Sequence, residues 1–258
     1  MKKLQILLFL AFVSILACKD DDSANPVSTV NLNFKALFGG EPLVFTLSSY
    51  TYPDGRAIKF QTLNFYISNV ALLKEGGEEE IVDIEFLNFS ENVTLPEAQT
   101  PLTVKNDRIP LGNYKGVRIG IGIPASMNKA SANQLPAGHP LRRTYNTHFW
   151  SDWGSFIFMK MEGVYDKDGN GFDGNDPGFG HHLGTDAVYR TFTFDRPIEV
   201  KAGTPLDLNF SLDVRNLYVD GTTWLDLSNP ANLYTHNPND LSVAFYLIDN
   251  FQRAFVLE

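Results

Sequence analysis

Residues 60–84, FQTLNFYISNVALLKEGGEEEIVDI, decide the fold. Phe65, Ile67, Val70 and Leu72 recur at near-alternate positions, the period of a strand whose side chains point to opposite faces. Gly76-Gly77 then breaks the run, and a second apolar stretch follows from Ile81 to Phe86. Strand, glycine turn, strand is a hairpin signature. The same pattern repeats outward. Val30, Leu32 and Phe34 alternate before Gly39-Gly40, and Asp54-Gly55 marks another turn. Val117, Ile119, Ile121 and Ile123 share one face of NYKGVRIGIGI (113–123). Phe156 to Met161, Ala187 to Phe194, Pro197 to Val200 and Leu206 to Val214 also read as strands, and Leu241 to Ile248 with Ala254 to Leu257 reads as a closing hairpin around Asp249-Asn250. Ala125 to Leu135 reads as a short helix or turn. The expectation is an all-β fold, a β-sandwich of about ten antiparallel strands with long functional loops.

Composition agrees. Twenty Phe and ten Tyr, with 20 Gly and 14 Pro as punctuation, favour short strands joined by turns. At 258 residues and 43% hydrophobic content the chain can bury one substantial core. Residues 28–258 are therefore expected to form a single domain.

The N-terminus reads as a processing signal. Lys2 and Lys3 precede an apolar run, Leu4 to Leu16, that is short for a membrane span. It ends at Ile15-Leu16-Ala17-Cys18, which resembles a bacterial lipobox. Residues 1–17 are expected to be removed as a lipoprotein signal peptide, with Cys18 lipidated and residues 18–27 serving as a polar tether. Lys19-Asp20-Asp21-Asp22 resembles the acidic export signal of surface lipoproteins in Bacteroidetes-type bacteria. Cys18 is the only cysteine, so no disulfide forms within the chain. Cleavage would remove two lysines and no acid, taking the formal charge from −9 to −11. Such a chain repels nucleic acid and anionic lipid and welcomes cations. Membrane association is expected through the lipid anchor alone, at the outer membrane, on its periplasmic face or at the cell surface.

Any chemistry is expected in residues 139–184. They contain His139, His148, His181 and His182, four of the five histidines, with Trp150 and Trp153. Imidazole suits Cu, Zn, Fe and Ni, and without thiolates a cysteine-type zinc site is excluded. Met159 and Met161 are core residues by pattern, although thioether near imidazole would favour Cu(I). Asp166-Lys167-Asp168-Gly169-Asn170-Gly171-Phe172 matches the first half of a calcium loop: oxygens from Asp166, Asp168 and Asn170, a glycine for the turn, and a carbonyl from Phe172. Pro177 stands where an EF-hand has glutamate, so Asp173 or Asp176 would have to close the shell. No G-x-S-x-G motif or singled-out carboxylate pair indicates an enzyme.

Taken together, Phe60 to Val70, His139-Pro140-Leu141, Phe149-Trp150, Ile157-Phe158-Met159-Lys160-Met161-Glu162-Gly163 and His182-Leu183-Gly184 resemble the MbnP-type copper-binding family. The resemblance implies a β-rich, non-catalytic copper protein outside the cytoplasm. It implies histidine ligands beside a tryptophan oxidised to kynurenine, and a dihaem cytochrome c peroxidase-like partner. By motif, His139 and His182 would be the primary copper ligands, with His148 and Trp150 next and His181 an alternate. Family members tend to show Trp-x-Trp, whereas here Trp150 and Trp153 are three apart, and His148 stands where an apolar residue is expected. Two alternatives stay open: a calcium-ordered surface adhesion or glycan-binding module, and a non-catalytic partner of a dihaem cytochrome.

Overall fold

The computed structural model describes residues 26–258. Cys18, the signal peptide and most of the tether lie outside the described residues. The main strands are β1 (Val27–Phe38), β2 (Ala57–Lys74), β3 (Gly77–Asn88), β4 (Leu102–Pro110), β5 (Gly112–Ile121), β6 (Ser155–Tyr165), β7 (Gly178–Gly184), β8 (Arg190–Val200), β9 (Leu206–Asp213) and β10 (Phe255–Leu257). They form a five-stranded and an eight-stranded sheet, the shorter strands included, that pack as an all-β sandwich.

In the smaller sheet β1 lies centrally, with β9 on one edge and β4 and the short strand Glu41–Pro42 on the other. Every pairing is antiparallel but one. β9 runs parallel to β1, in register from Val30↔Leu206 to Leu37↔Asp213, because the chain crosses the other sheet before returning. Val30, Leu32, Phe34, Ala36 and Phe38 alternate inward from β1, and Phe34, Phe210 and Phe255 stack into the core.

The larger sheet is built on β2. Asn64 and Phe65 pair with β3 and β6 at once, and Ile67 pairs with β3 and β5. β5 and β6 therefore share one edge of β2, end to end, with β3 on the opposite edge. A bulge follows the change of partner. Asn69 adopts φ +47°, a conformation asparagine tolerates, and the register shifts beyond it. The extra residue explains why the apolar pattern steps from Ile67 to Val70 rather than to residue 69. Both faces of this stretch are covered, so Leu63 to Ser68 is continuously buried.

One expectation fails. Leu241 to Ile248 is not a hairpin strand: Ser242–Asp249 and Phe251–Ala254 are helices, and only β10 returns to the sheet. Ala244, Leu247, Ile248, Phe251 and Ala254 are the buried apolar positions, spaced three and four apart as a helical face requires. Among the described residues no helix is long and apolar enough to cross a membrane.

Candidate metal centre

β6 and β7 form a hairpin whose two faces differ in chemistry. The inward face carries Met159, Met161, Phe179, His181 and Leu183, all buried, so both methionines pack in the core. The outward face carries Lys160 and Glu162, with His182 opposite Lys160. Thr62 and Asn64 of β2 lie opposite Glu162 and Lys160 and extend the polar row. Strand alternation alone sorts the adjacent histidines His181 and His182 onto opposite faces.

His182 is held from two sides. Its Nε2 lies 2.6 Å from Glu162 Oε1, and Thr62 donates its hydroxyl to Glu162 Oε2 at 2.7 Å. The hydrogen bond from His182 keeps the Glu162 carboxyl down at about 2, against the opposing effect of its partial burial. An ionised carboxylate only accepts, so Nε2 carries a proton, and in the neutral ring the lone pair is then on Nδ1. That Nδ1 is buried and has no hydrogen-bond partner among the described residues.

The facing ring comes from far along the chain. Residues 233–236 dock against β7: Gly180 N–H donates to Leu233 C=O at 2.8 Å, Thr235 N–H to Gly180 C=O at 3.2 Å, and His182 N–H to Thr235 Oγ1 at 2.6 Å. This registers His236 beside His182, ring centroids 4.6 Å apart. Burial lowers the His236 pKa.

Trp150 closes the site. Residues 150–154 make a tight turn between Phe149–Trp150 and Ser155–Phe156, with Gly154 at φ +60°. The turn brings residues three apart together, so Trp150 and Trp153 stack with centroids 4.7 Å apart. The three-residue spacing thus has a structural use. Trp150 meets His236 edge-on at 5.3 Å and His182 at 6.1 Å, while Trp153 Nε1–H donates to His236 C=O at 3.3 Å. Gly184 makes room, since a Cβ there would stand 2.6 Å from the Trp153 ring.

The other histidines lie elsewhere. His181 is wholly buried and spends both nitrogens, Nδ1 on Tyr218 Oη at 3.0 Å and Nε2 on Asn232 C=O at 2.8 Å. Burial holds it down at about 4. His148 likewise bonds Thr147 Oγ1 at 2.9 Å and Asn64 Oδ1 at 2.9 Å, and burial, reinforced by the Lys160 charge, holds it near 3. His139 caps the short helix Pro140–Arg143, accepting Leu141 N–H at 3.2 Å, and lines a cavity of about 280 Å³ with Met127 and Lys129. Among the described residues, no group of three His, Cys, Asp or Glu donors within 4.8 Å of one another includes a histidine.

At the hairpin tip, Asp166, Asp168 and Asp176 do gather in such a group. Asp166 is buried and accepts Gly169 N–H and Gly171 N–H, and Asp176 accepts Lys167 N–H and Asp173 N–H. Asn170 turns its amide onto Asp168 at 3.0 Å, and Asp173 caps Asn175. The Phe172 ring lies under the Lys59 ammonium, 4.6 Å away.

Sequence reasoning passed over Glu162 and His236. Glu162 carried a signal, an acid breaking an apolar strand in phase with Lys160. His236, a single histidine in a loop, carried none.

A family model described as MbnP matches residues 27–237. The solved structure of MbnP from Methylosinus trichosporium shares the fold, with a TM-score of 0.53 at 15% identity over 78% of this chain and 80% of that one. Among curated proteins, none matches the chain. The extent of the family match settles membership: the chain belongs to the MbnP family.

Proposed function

We propose that this member of the MbnP family is a non-catalytic, copper-binding protein that works outside the cytoplasm and holds the metal with His182 and His236 beside Trp150. Family membership supports a metal-binding role. The observation that carries the site is the buried, unpartnered Nδ1 of His182 next to the His236 ring. A buried nitrogen lone pair without a partner is costly unless something binds it. Glu162 keeps the proton on Nε2, leaving Nδ1 to the metal, the arrangement by which carboxylates orient ligand histidines. Two imidazoles without thiolate suit copper better than a closed four-ligand zinc site.

Copper would supply redox chemistry; the protein supplies the setting. The Trp150–Trp153 stack covers one side of the histidine pair. Conversion of Trp150 to kynurenine, a four-electron oxidation by peroxide at a dihaem cytochrome c peroxidase-like partner that releases the indole C2 as formate, would add a carbonyl and an amine to a site with only two histidines. Cys18 would tether the domain to the outer membrane. The acidic tip, with Asp166, Asp168 and Asp176 and with Asn170 and the Phe172 carbonyl nearby in sequence, is a separate candidate for a hard cation such as Ca²⁺.

The test is copper titration of the full chain against a competing chelator. The parent should bind one equivalent, and the His182→Ala/His236→Ala double variant should bind at least about a thousandfold more weakly. Equal affinity in a folded double variant sinks the site. Peptide mass mapping of protein produced with its partner would show whether Trp150 is oxidised.

A further inference from the structure

The excursion that delivers His236 carries a second feature. Val219–Asp220 and Thr223–Trp224 pair as a ribbon that leaves Trp224 41% exposed. The indole borders an open basin of about 470 Å³ shared with Asp54, Arg56, Thr222 and Asp226. The size is that of a small-molecule site.

Its polar groups are fixed from beneath. Tyr165, wholly buried, donates to the Asp54 carboxylate and accepts from Arg56 Nη1 at 2.9 Å, and Arg56 N–H donates to Asp54 Oδ1 at 3.0 Å. Buried Tyr52 donates to Leu225 C=O at 2.5 Å, between Trp224 and Asp226 in the chain. Asp226 Oδ1 accepts both the Ser228 N–H at 2.9 Å and its hydroxyl at 2.6 Å. These bonds consume one side of each group. Arg56 Nε and Nη2, Asp226 Oδ2 and Trp224 Nε1 have no protein partner among the described residues. A pre-positioned guanidinium and carboxylate, with donors and acceptors unspent beside an exposed indole, lose little freedom on binding.

We propose that this basin binds a neutral saccharide. A pyranose presents an apolar C–H face, which an exposed indole covers, and a rim of vicinal hydroxyls that donate and accept together. Arg56 and Asp226 match that rim. Two carboxylates against one guanidinium disfavour uronic acids and phosphates. A peptide would need several apolar sockets, and the basin offers one aromatic surface.

Titration of the full chain with maltohexaose, cellohexaose, laminarihexaose and mannohexaose, followed by tryptophan fluorescence and calorimetry, tests this. At least one should bind saturably. Trp224→Ala should weaken that binding at least tenfold and Asp226→Asn should weaken it too, with the melting temperature and copper affinity unchanged. Saturable binding by none of the four, or undiminished binding in Trp224→Ala, overturns the proposal. Should Trp224→Ala fail to fold, oxidation of Trp224 by N-bromosuccinimide in the parent decides the matter: protection by the sugar supports the site, and an unchanged rate rejects it. Copper titration in the same samples keeps this outcome separate from that of the histidine site.

Discussion

His181 and His182 are neighbours in sequence and opposites in environment. His181 faces the core, and each of its nitrogens has a partner, Tyr218 or Asn232. His182 faces the open side of the hairpin, with one nitrogen on Glu162 and the other buried without a partner. A histidine with both nitrogens paired is a fastener; one with a buried lone pair to spare is competent to bind a metal. His148 belongs with His181 in this division; His236 is exposed and stands beside His182 by ring contact.

The sharpest way to break the comparison is at His181 itself. His181→Ala leaves a cavity and orphans the Asn232 carbonyl and the Tyr218 hydroxyl, so denaturant unfolding should show a loss of about 3–5 kcal/mol. Copper affinity should stay within about threefold. Loss of copper from a folded His181→Ala protein would erase the distinction.

Acid titration probes the same division. His148 near 3 and His181 near 4 sit below the unfolded value of about 6.5. Between those values the unfolded chain binds more protons, so stability is full above about pH 6.5 and falls as pH drops through 4 towards 3. By pH 4 each histidine should have withdrawn about 2–3 kcal/mol. His148→Gln should flatten the profile of unfolding free energy against pH, and an unchanged slope would show that His148 is not held neutral.

Glu162→Gln is a smaller perturbation of the outward face. The amide can still accept from His182 but no longer enforces its tautomer with a charge. Copper affinity should drop about 10–100-fold, with the unfolding midpoint little changed. An unaltered affinity would remove Glu162 from the site. Smallest is the effect at the hairpin tip, where calcium at several times its dissociation constant should add about 1 kcal/mol to unfolding. Asp168→Asn should abolish that increment, and no calcium response in the parent would leave the acidic tip as a solvated turn.

Much of the fold was legible locally. The alternation of Val30, Leu32 and Phe34, the Gly76-Gly77 turn and the apolar run of β6 each state a strand period within a few residues. Ser242–Asp249 was misread because a short apolar run satisfies strand and helix alike. Its helical spacing shows only once Ala244, Leu247 and Ile248 are known to be the buried set.

The site divides along the same line. That His182 and His181 face opposite ways follows from strand geometry, and the tryptophans flanking a turn could be placed together from their spacing. Which histidine keeps a free nitrogen could not be read there, because that depends on Glu162, Asn232 and Tyr218 arriving from separate segments. Nor could the partnership with His236, which exists because backbone groups of Gly180 and His182 capture residues 233–235 at the sheet edge. Periodicity is a local property and survives in the string of residues; the pairing of a lone pair is a contact property, and contacts between distant segments exist only once the sheets have closed.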